Sequence, residues 1–303
     1  MIEIKQVSKA FDGVKAVDGL SMSMNEKEVF GLLGTNGAGK TTLLRMMTGI
    51  LKADSGKITI DEKEVYDNPK AKELFFFIPD DVYYFPLAKP KDMAEHYKGI
   101  YQNFSVEYFN EMMEGFGLDR NRRVNTFSKG MKKQLAVILA LSAQTKYLFC
   151  DETFDGLDPV IRQATKSLIA QAMEDRGLTT VLTSHNLREL EDVCDHIGLL
   201  HQGGVLLSKD IEDLKIGVQK LQVVYEDEND SQNVELQMEI LDHKRQGRLH
   251  VYTVRQTPAE LDDLFGKVKT VLYEILPLTL EEIFISETEV VGYDISKIIN
   301  RSL

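Results

Sequence analysis

A short run of glycine, lysine and threonine near residue 40 has the residue types that bind phosphate. Residues 34–42 read Gly-Thr-Asn-Gly-Ala-Gly-Lys-Thr-Thr and match the pattern G-x-x-x-x-G-K-[ST] at every fixed position. Glycines let backbone amides close around phosphate oxygens, Lys40 can reach the β- and γ-phosphates, and the Thr41 hydroxyl can ligate Mg²⁺. The other interpretation is a glycine-rich turn before a helix. The predicted phosphate-binding residues are Gly34, Asn36, Gly37, Ala38, Gly39, Lys40, Thr41 and Thr42.

Two acids and a histidine follow short strand-like segments further along the chain. Asp151 and Glu152 end the apolar run Tyr147–Cys150, and His185 follows a second such run. Beside a phosphate-binding loop, an acid at a strand end can hold Mg²⁺ or its water, which suits Asp151. Glu152 would take a proton from an attacking water, and His185 would contact the γ-phosphate. Two adjacent acids are otherwise usually solvated and a lone histidine is usually structural, so Lys40 is what favours the catalytic interpretation.

These side chains need strands and helices that bring them together. Val29–Leu33 is apolar enough for a buried strand, and the apolar spacing from Leu43 to Leu51 predicts a helix directly after the glycines. This is the strand–loop–helix context that the phosphate-binding pattern requires. Further helices are predicted over 136–143 and 160–175. Ile2–Ile4 alternates apolar and charged residues as an exposed edge strand does.

Ser128 is well placed to cap a helix that leads into 136–143, with Met131 at its third helical position. A helix cap is sufficient reason for an isolated serine there. The same helix end can also bind an anion, because Gly130 permits close approach. Both interpretations remain open from the residues alone.

Two aromatic features likewise admit two interpretations each. Phe11 lies on a turn and could stack on a purine base or be an ordinary surface residue. The cluster over 82–86, with Tyr83, Tyr84 and Phe85, suits a groove for a partner or anchors a loop in a core. Helical patterning rich in aromatics follows over 91–117, which predicts a helical insertion.

Composition sets limits on the class of protein. The 303 residues are enough for two domains, and 43% hydrophobic with 28% charged residues is ordinary for a soluble globular protein. A net charge of −12 argues against a nucleic-acid partner. Apolar runs fall short of the roughly 18 residues that span a bilayer, and the first residues lack a signal-peptide core. Cys150 and Cys194 lie in apolar surroundings, as buried thiols of a reducing compartment do, so we expect a cytoplasmic protein.

The composition changes near residue 216. Beyond it, strands are predicted over 249–254 and 268–275, and helices over 258–265 and from Thr279. The acidic run Glu226–Asp230 predicts a solvated loop, and 290–303 predicts a short amphipathic helix or a frayed tail. This order of elements indicates a small α+β domain without catalytic residues of its own.

Taken together, residues 1 to about 215 resemble the ATP-binding subunits of ABC transporters. Six motifs occur in the order that this family has, so a chance match is excluded for practical purposes. They are the adenine-stacking aromatic Phe11, the Walker A loop 34–42, the signature loop 127–131, Walker B 147–152 with its catalytic Glu152, the D-loop 156–158 and the switch histidine His185.

The resemblance implies a fold, a set of cofactors and a division into domains. The fold is an α/β P-loop NTPase cassette with a mixed sheet core, an antiparallel β part and a helical subdomain at about 80–143. The nucleotide-binding domain spans 1–215, and 216–303 forms an accessory α+β domain for dimerisation or regulation. ATP and Mg²⁺ are the implied cofactors, with Thr41, Asp151 and Asp80 as metal contacts.

Four positions depart from the pattern of the family. Asp80 stands where the Q-loop has glutamine; it could still contact Mg²⁺ or its water, with a shorter reach and an added charge. Lys129 and Met131 replace the commonest glycine and glutamine of the signature loop, and Asp155 replaces the usual serine before Gly156. Ser128 and Gly130, the pair that faces phosphate, are kept. We interpret the changes as tuning, since the hydrolytic residues are intact.

The resemblance also implies partners. Two cassettes, as a homodimer or heterodimer, meet head to tail with ATP between Lys40 of one and Ser128 of the other. A separate integral membrane permease places the assembly on the inner face of the cell membrane. A single cassette with a small C-terminal domain resembles the ATPases of ABC-2-type exporters, and phenol-soluble-modulin exporter ATPases are the nearest subgroup we suggest, with a peptide or drug as substrate. The alternative is a soluble ABC ATPase of translation or DNA repair, although such proteins usually have two cassettes or a long coiled coil.

Overall fold

The computed structural model describes residues 1–279, 281–283 and 285 of the chain. The chain divides into two compact units, Met1–Ser208 and Lys209–Leu303. The sequence places the corresponding domain boundary at 215/216. The predicted tail over 290–303 lies outside the described residues.

Strands and helices alternate through most of the first unit. Its strands are β1 Ile2–Phe11, β2 Val14–Met24, β3 Val29–Leu33, β4 Ser55–Ile60, β5 Lys63–Glu64, β6 Phe75–Ile78, β7 Tyr147–Cys150, β8 Thr179–Ser184, β9 His196–His201 and β10 Gly204–Asp210. Its helices are α1 Lys40–Met47, α2 Pro69–Lys72, α3 Pro90–Lys98, α4 Val106–Gly115, α5 Lys129–Ser142, α6 Pro159–Arg176 and α7 Leu187–Glu191, with a 3₁₀ turn over Val124–Thr126.

The central sheet has six strands in the order β10-β9-β3-β8-β7-β6. β3 lies parallel to β8 and β9, and β7 lies parallel to β6 and β8. Every residue of β3, β7 and β8 is buried, as expected for inner strands of a parallel sheet covered on both faces. The carboxyl ends of these three strands therefore meet at one edge, where the predicted site residues follow them.

A second sheet of the first unit is antiparallel, in the order β2-β1-β4-β5. The expectation of an edge strand at Ile2–Ile4 is wrong, because β1 is paired on both sides. Ile2 and Ile4 are buried in a core that also contains residues of the central sheet and of α1. Alternation of apolar and charged residues reports that one face of a strand is buried, and it says nothing about the strand's neighbours.

Helix α1 ends before the apolar pattern does. The pattern predicts a helix to Leu51, but the helix stops at Met47 and Gly49 adopts φ +62°. A glycine in the left-handed conformation just beyond the last turn is a common helix terminator. The apolar Ile50 beyond it is exposed.

Between β6 and β7 the chain forms the helices α3, α4 and α5. These correspond to the helical insertion predicted over 91–117 and to the helix predicted over 136–143. Ser128 caps α5 as expected, since its Oγ accepts a hydrogen bond from the Met131 amide at 3.2 Å.

Cys150 and Cys194 are buried free thiols, in agreement with their predicted role in the core, and burial raises the pKa of Cys150 to about 12.

The second unit is an antiparallel sheet with helices packed on it. Its strands, in the order β12-β13-β11-β14, are β11 Gln219–Tyr225, β12 Ile240–Gln246, β13 Leu249–Val254 and β14 Thr270–Leu276. Its helices include α8 Ile211–Gly217, α9 Asp230–Glu235 and α10 Pro258–Phe265. β13 and α10 match the sequence prediction, whereas β11, α9 and β12 were not predicted. The acidic run forms a turn that leads directly into α9.

Candidate active site

The glycine-rich loop connects β3 to α1 at the carboxyl edge of the central sheet. Gly39 has φ +103°, and a side chain there would collide with the Ala16 carbonyl of β2. A Cβ on Gly34 would lie 2.7 Å from the Leu200 carbonyl of β9. The loop is therefore held against both sheets, while its apex at Asn36 and Gly37 is exposed. Exposed backbone amides at a helix N-terminus, in a loop without bulky side chains, suit the phosphates of a nucleotide.

Lys40 places a buried ammonium group in this loop. Its Nζ donates to the carbonyl oxygen of Gly34 at 2.6 Å and to that of Thr35 at 3.3 Å, and it lies 3.4 Å from Glu152 Oε1. The residue is only 5% exposed. A desolvated cation attracts anions more strongly than a solvated one, so Lys40 suits the β- and γ-phosphates.

Thr41 and Asp151 meet across the edge of the sheet. Thr41 Oγ1 donates to Asp151 Oδ1 at 3.0 Å, and Thr183 Oγ1 donates to the same oxygen at 2.8 Å. Burial raises the pKa of Asp151; the two hydroxyls oppose this effect, and the charges of Glu152 and Asp80 add to it. Among the described residues, no hydrogen bond reaches Oδ2. A nearby cation would stabilise the ionised form of this buried carboxylate. A carboxylate beside a hydroxyl is also a set of oxygen ligands that fits Mg²⁺.

Glu152 lies between Lys40 and the predicted switch histidine. Its Oε2 is 2.7 Å from His185 Nδ1. Its backbone has φ +47°, a left-handed conformation that costs energy for a residue other than glycine. Two hydrogen bonds hold that backbone: its amide donates to Thr183 Oγ1 at 2.9 Å, and its carbonyl accepts from Lys133 Nζ at 2.7 Å.

The structure pairs Asp80 with a buried lysine of α5. Its carboxylate lies 3.0 Å from Lys133 Nζ, and its side chain is 51% exposed. The structure thus joins Asp80 to an ammonium group, and not to Thr41. Asp80 is still near enough for its charge to raise the pKa of Asp151. Its role as a metal contact remains a prediction.

Three of the remaining predicted residues, Ser128, Gly130 and Phe11, lie outside the phosphate-binding loop, whereas Thr42 is its last residue. Among the described residues, no hydrogen bond or ion pair joins Ser128 or Gly130 to residues 34–42; a Cβ on Gly130 would instead lie 3.5 Å from the carbonyl of Gly156 in the D-loop. Phe11 is 47% exposed, with Lys9 Nζ 5.6 Å from its ring centre. Thr42 is half-buried on the first turn of α1.

Two residues that contribute to the site were missed at the sequence level. Lys133 begins a run of α5 residues that are all buried and mostly apolar. A charged residue at the start of such a run is the signal that could have identified it. Thr183 lies two residues before His185 at the end of β8, in register with Leu32 of β3. Its position became informative only once the order of the strands was known.

Comparison with known proteins identifies the family. Residues 17–155 match the family model described as ABC transporter. The chain is 31% identical to the ABC transporter ATP-binding protein YtrB of Bacillus subtilis over 95% of this chain and 98% of YtrB. It is 29% identical to the bacitracin transport ATP-binding protein BcrA of Bacillus licheniformis over 93% and 94% of the two chains. A solved ATP-binding subunit of an ABC transporter superposes with a TM-score of 0.66 at 23% identity, covering 71% of this chain and 92% of that one.

The chain therefore belongs to the family of ABC transporter ATP-binding proteins. This confirms the resemblance drawn from the six motifs, the fold class, and the expectation of an ATP-binding, ATP-hydrolysing protein that drives transport. Similarity to the phenol-soluble-modulin subgroup remains a prediction. Within the part of the chain that the structure describes, no helix has both the length and the apolar character needed to cross a membrane.

Proposed function

We propose that this chain powers export of a peptide or drug through a separate integral membrane permease. The observation that carries the proposal is the convergence of Lys40, Asp151, Glu152 and His185 at one edge of the central sheet. A protein with only a structural role would not need this set of hydrolytic groups. BcrA, which is similar along almost its whole length, is named for bacitracin transport, and this supports a substrate of the peptide or drug class.

In the proposed reaction each residue has a distinct task. The backbone of the loop 34–39 and Lys40 bind the phosphates of ATP. Thr41 and Asp151 hold Mg²⁺, which neutralises charge on the phosphate oxygens when it is bound. Glu152 accepts the proton of the attacking water, and His185 orients Glu152 and contacts the γ-phosphate.

The site also needs a second cassette. Among the described residues, no hydrogen bond or ion pair joins Ser128 or Gly130 to the phosphate-binding loop of their own chain, and both lie at the N-terminal end of α5. We propose that they complete the ATP site of a partner cassette in a head-to-tail homodimer or heterodimer. A monomer then has weak ATPase activity, because each chain carries half of every site.

A surface for the permease follows strand β6. Tyr83 and Phe85 are 72% and 47% exposed, with their rings 6.3 Å apart. Tyr84 between them is half-buried, and its hydroxyl donates to the Lys132 carbonyl of α5 at 2.6 Å. The two interpretations of this cluster thus apply to different residues: Tyr84 anchors the loop, and we propose that Tyr83 and Phe85 receive a cytoplasmic helix of the permease.

The domains and location follow from this assignment. We propose residues 1–215 as the nucleotide-binding domain and 216–303 as an accessory domain for dimerisation or regulation. The assembly would lie on the cytoplasmic face of the membrane, held there by the permease.

The test is an affinity purification of the tagged full chain from detergent-solubilised native membranes, followed by identification of its partners by mass spectrometry. We expect a polytopic membrane protein in stoichiometric amount. The matched control is a Tyr83→Ala, Phe85→Ala double variant, which should lose that protein while it retains ATP binding. Ribosomal proteins or nucleic acid in place of a membrane protein would overturn the proposal in favour of a soluble ATPase of translation or repair.

A further inference from the structure

The second unit contains a cluster of histidines and acids that the ATP site does not use. His243 of β12 and Tyr252 of β13 are directly opposite each other in the sheet, and their rings stack with centres 4.3 Å apart. His250 lies two residues before Tyr252, on the same face of β13. Glu235, the last residue of α9, reaches this group, since its Oε1 accepts a hydrogen bond from the Tyr252 hydroxyl at 2.8 Å.

The nitrogen and oxygen atoms of this cluster converge on one point. His243 Nε2 lies 3.1 Å from His250 Nδ1. One ligand atom each from Glu235, His243 and His250 fall within 4.8 Å of one another. In a tetrahedral Zn²⁺ site with bonds of about 2.0–2.1 Å, neighbouring ligand atoms lie roughly 3.3 Å apart. Small rotations of side chains would therefore bring these three groups to ligating distance.

Glu228 holds His250 in the orientation that a metal ligand needs. Glu228 Oε1 is 3.0 Å from His250 Nε2, and Arg245 lies 2.6 Å from the same oxygen. The carboxylate therefore takes the hydrogen of Nε2, so the lone pair of Nδ1 points into the cluster. A histidine whose other nitrogen donates to a carboxylate is the usual arrangement around a ligated metal.

The hydrogen bonds of the cluster converge on His250 Nδ1 and Glu235 Oε1. The single hydrogen of the Tyr252 hydroxyl faces both Glu235 Oε1, at 2.8 Å, and His250 Nδ1, also at 2.8 Å. It can serve only one of them; where it serves Glu235, an Nε2–H of His243, 3.1 Å away, can serve His250 Nδ1, whose side chain is 2% exposed. A cation bound between Glu235 and His250 would replace both of these hydrogens as the partner of the two acceptors.

We propose that Glu235, His243 and His250 bind one divalent transition-metal ion of the Zn²⁺ class, with Glu228 orienting His250. Two imidazoles and one carboxylate select such an ion over Mg²⁺ or Ca²⁺, which prefer oxygen ligands. The side chains of Glu235 and His243 are each 31% exposed, which leaves an open side for entry of the ion and for a water as fourth ligand. The ion would fasten α9 to the β12–β13 hairpin within the second unit.

The proposal is tested by titrating the chelator-treated, nucleotide-free full chain with Zn²⁺ in a calorimeter and by measuring bound metal after gel filtration. Both experiments use an Asp151→Asn background, so that binding at the ATP site is removed. We expect about one Zn²⁺ per chain, and a visible absorption band of tetrahedral type when Co²⁺ replaces it.

Variants connect the metal to the named residues. His243→Gln and His250→Gln should each abolish stoichiometric binding, whereas His96→Gln on the exposed surface of α3 should leave it unchanged. Glu228→Gln should weaken the affinity about 10–100-fold, the usual effect of losing the partner of a ligating histidine. Because His243 is partly exposed, His243→Gln should keep the native circular dichroism spectrum, which separates loss of a ligand from loss of the fold.

Two results would overturn the proposal. One is a chain that binds no Zn²⁺ at micromolar concentrations. The other is a His243→Gln, His250→Gln double variant that binds as much Zn²⁺ as its parent. Neither result bears on the ATPase assignment, since none of these residues belongs to the ATP site.

Discussion

The buried ammonium of Lys133 donates to the backbone carbonyl of Glu152 at 2.7 Å and pairs with the Asp80 carboxylate at 3.0 Å. One side chain of α5 thus joins the residue that follows β6 to the proposed general base that follows β7. Glu152 has a left-handed backbone conformation, and such a conformation persists only where neighbouring groups hold it. Lys133 and Thr183 are the groups that do so here.

Replacing Lys133 by methionine should therefore disturb catalysis without removing a group that contacts ATP. The Glu152 carbonyl would lose its partner, at a cost of about 1–3 kcal/mol in the free energy of unfolding. We expect the turnover number to fall while the KM for ATP changes little. Urea unfolding and steady-state phosphate release measure the two effects.

Lys132→Met, at the half-buried neighbouring position, is the matched control and should change neither quantity. Equal loss of turnover in both variants would mean that Lys133 has no specific effect on Glu152.

Replacing Glu152 by glutamine should lower the ATPase turnover about 10²–10⁴-fold, because the amide cannot accept a proton from water. ATP binding should persist, since Lys40 and the glycine-rich loop are unchanged. Turnover is measured by phosphate release and binding by equilibrium dialysis with radiolabelled ATP. Glu174→Gln, on the exposed surface of α6, should have wild-type activity. Near-normal turnover of Glu152→Gln would show that another group acts as the base.

The raised pKa of Asp151 predicts how the stability of the fold depends on pH. Burial holds the pKa of its carboxyl group above the usual value, so the folded protein binds this proton more tightly than the unfolded chain does. The contribution of this group to stability is therefore most favourable below the unfolded pKa of about 3.9, and it declines as pH rises through the raised native pKa.

Asp151→Asn removes that penalty and keeps an oxygen for the hydroxyls of Thr41 and Thr183. In the absence of nucleotide and Mg²⁺, we expect this variant to unfold at higher temperature than the wild type at pH 7, with a smaller difference near pH 4. Its Mg²⁺-dependent ATPase activity should be lost. Scanning calorimetry at several pH values measures the first effect; a variant less stable than the wild type at pH 7 would contradict it.

Tyr83→Ala should uncouple ATP hydrolysis from transport. The side chain is 72% exposed, so its loss should change stability by no more than about 0.5 kcal/mol and leave the soluble ATPase activity intact. Transport is measured with the permease in proteoliposomes.

Tyr84→Phe serves as the comparison for Tyr83→Ala. It removes one partly buried hydrogen bond to the Lys132 carbonyl, at a cost of about 0.5–1.5 kcal/mol in stability, and should retain coupling. If Tyr83→Ala lowered transport and soluble ATPase activity equally, the proposed permease surface would be wrong.

The sequence alone determined the glycine-rich loop between β3 and α1, the family and the cap of α5. These features depend on local chemistry, since a glycine-rich loop between an apolar strand and an amphipathic helix is encoded within about 20 consecutive residues. The strands β7 and β13 and the helix α10 were predicted for the same reason. β11 and β12 were not predicted, because they mix polar and apolar residues and one face of their sheet is solvated.

Only the tertiary structure decided which distant residues meet. The strand order places β8 between β3 and β7, and for that reason Thr41, Thr183 and Asp151 share hydrogen bonds, although 110 positions separate Thr41 from Asp151. The partner of Asp80 and the position of β1 inside its sheet were decided in the same way. Turns, helix caps and hydrophobic periodicity are specified by residues close together in the sequence. The pairing of strands and the burial of Lys133 depend on the free energy of the whole packed unit.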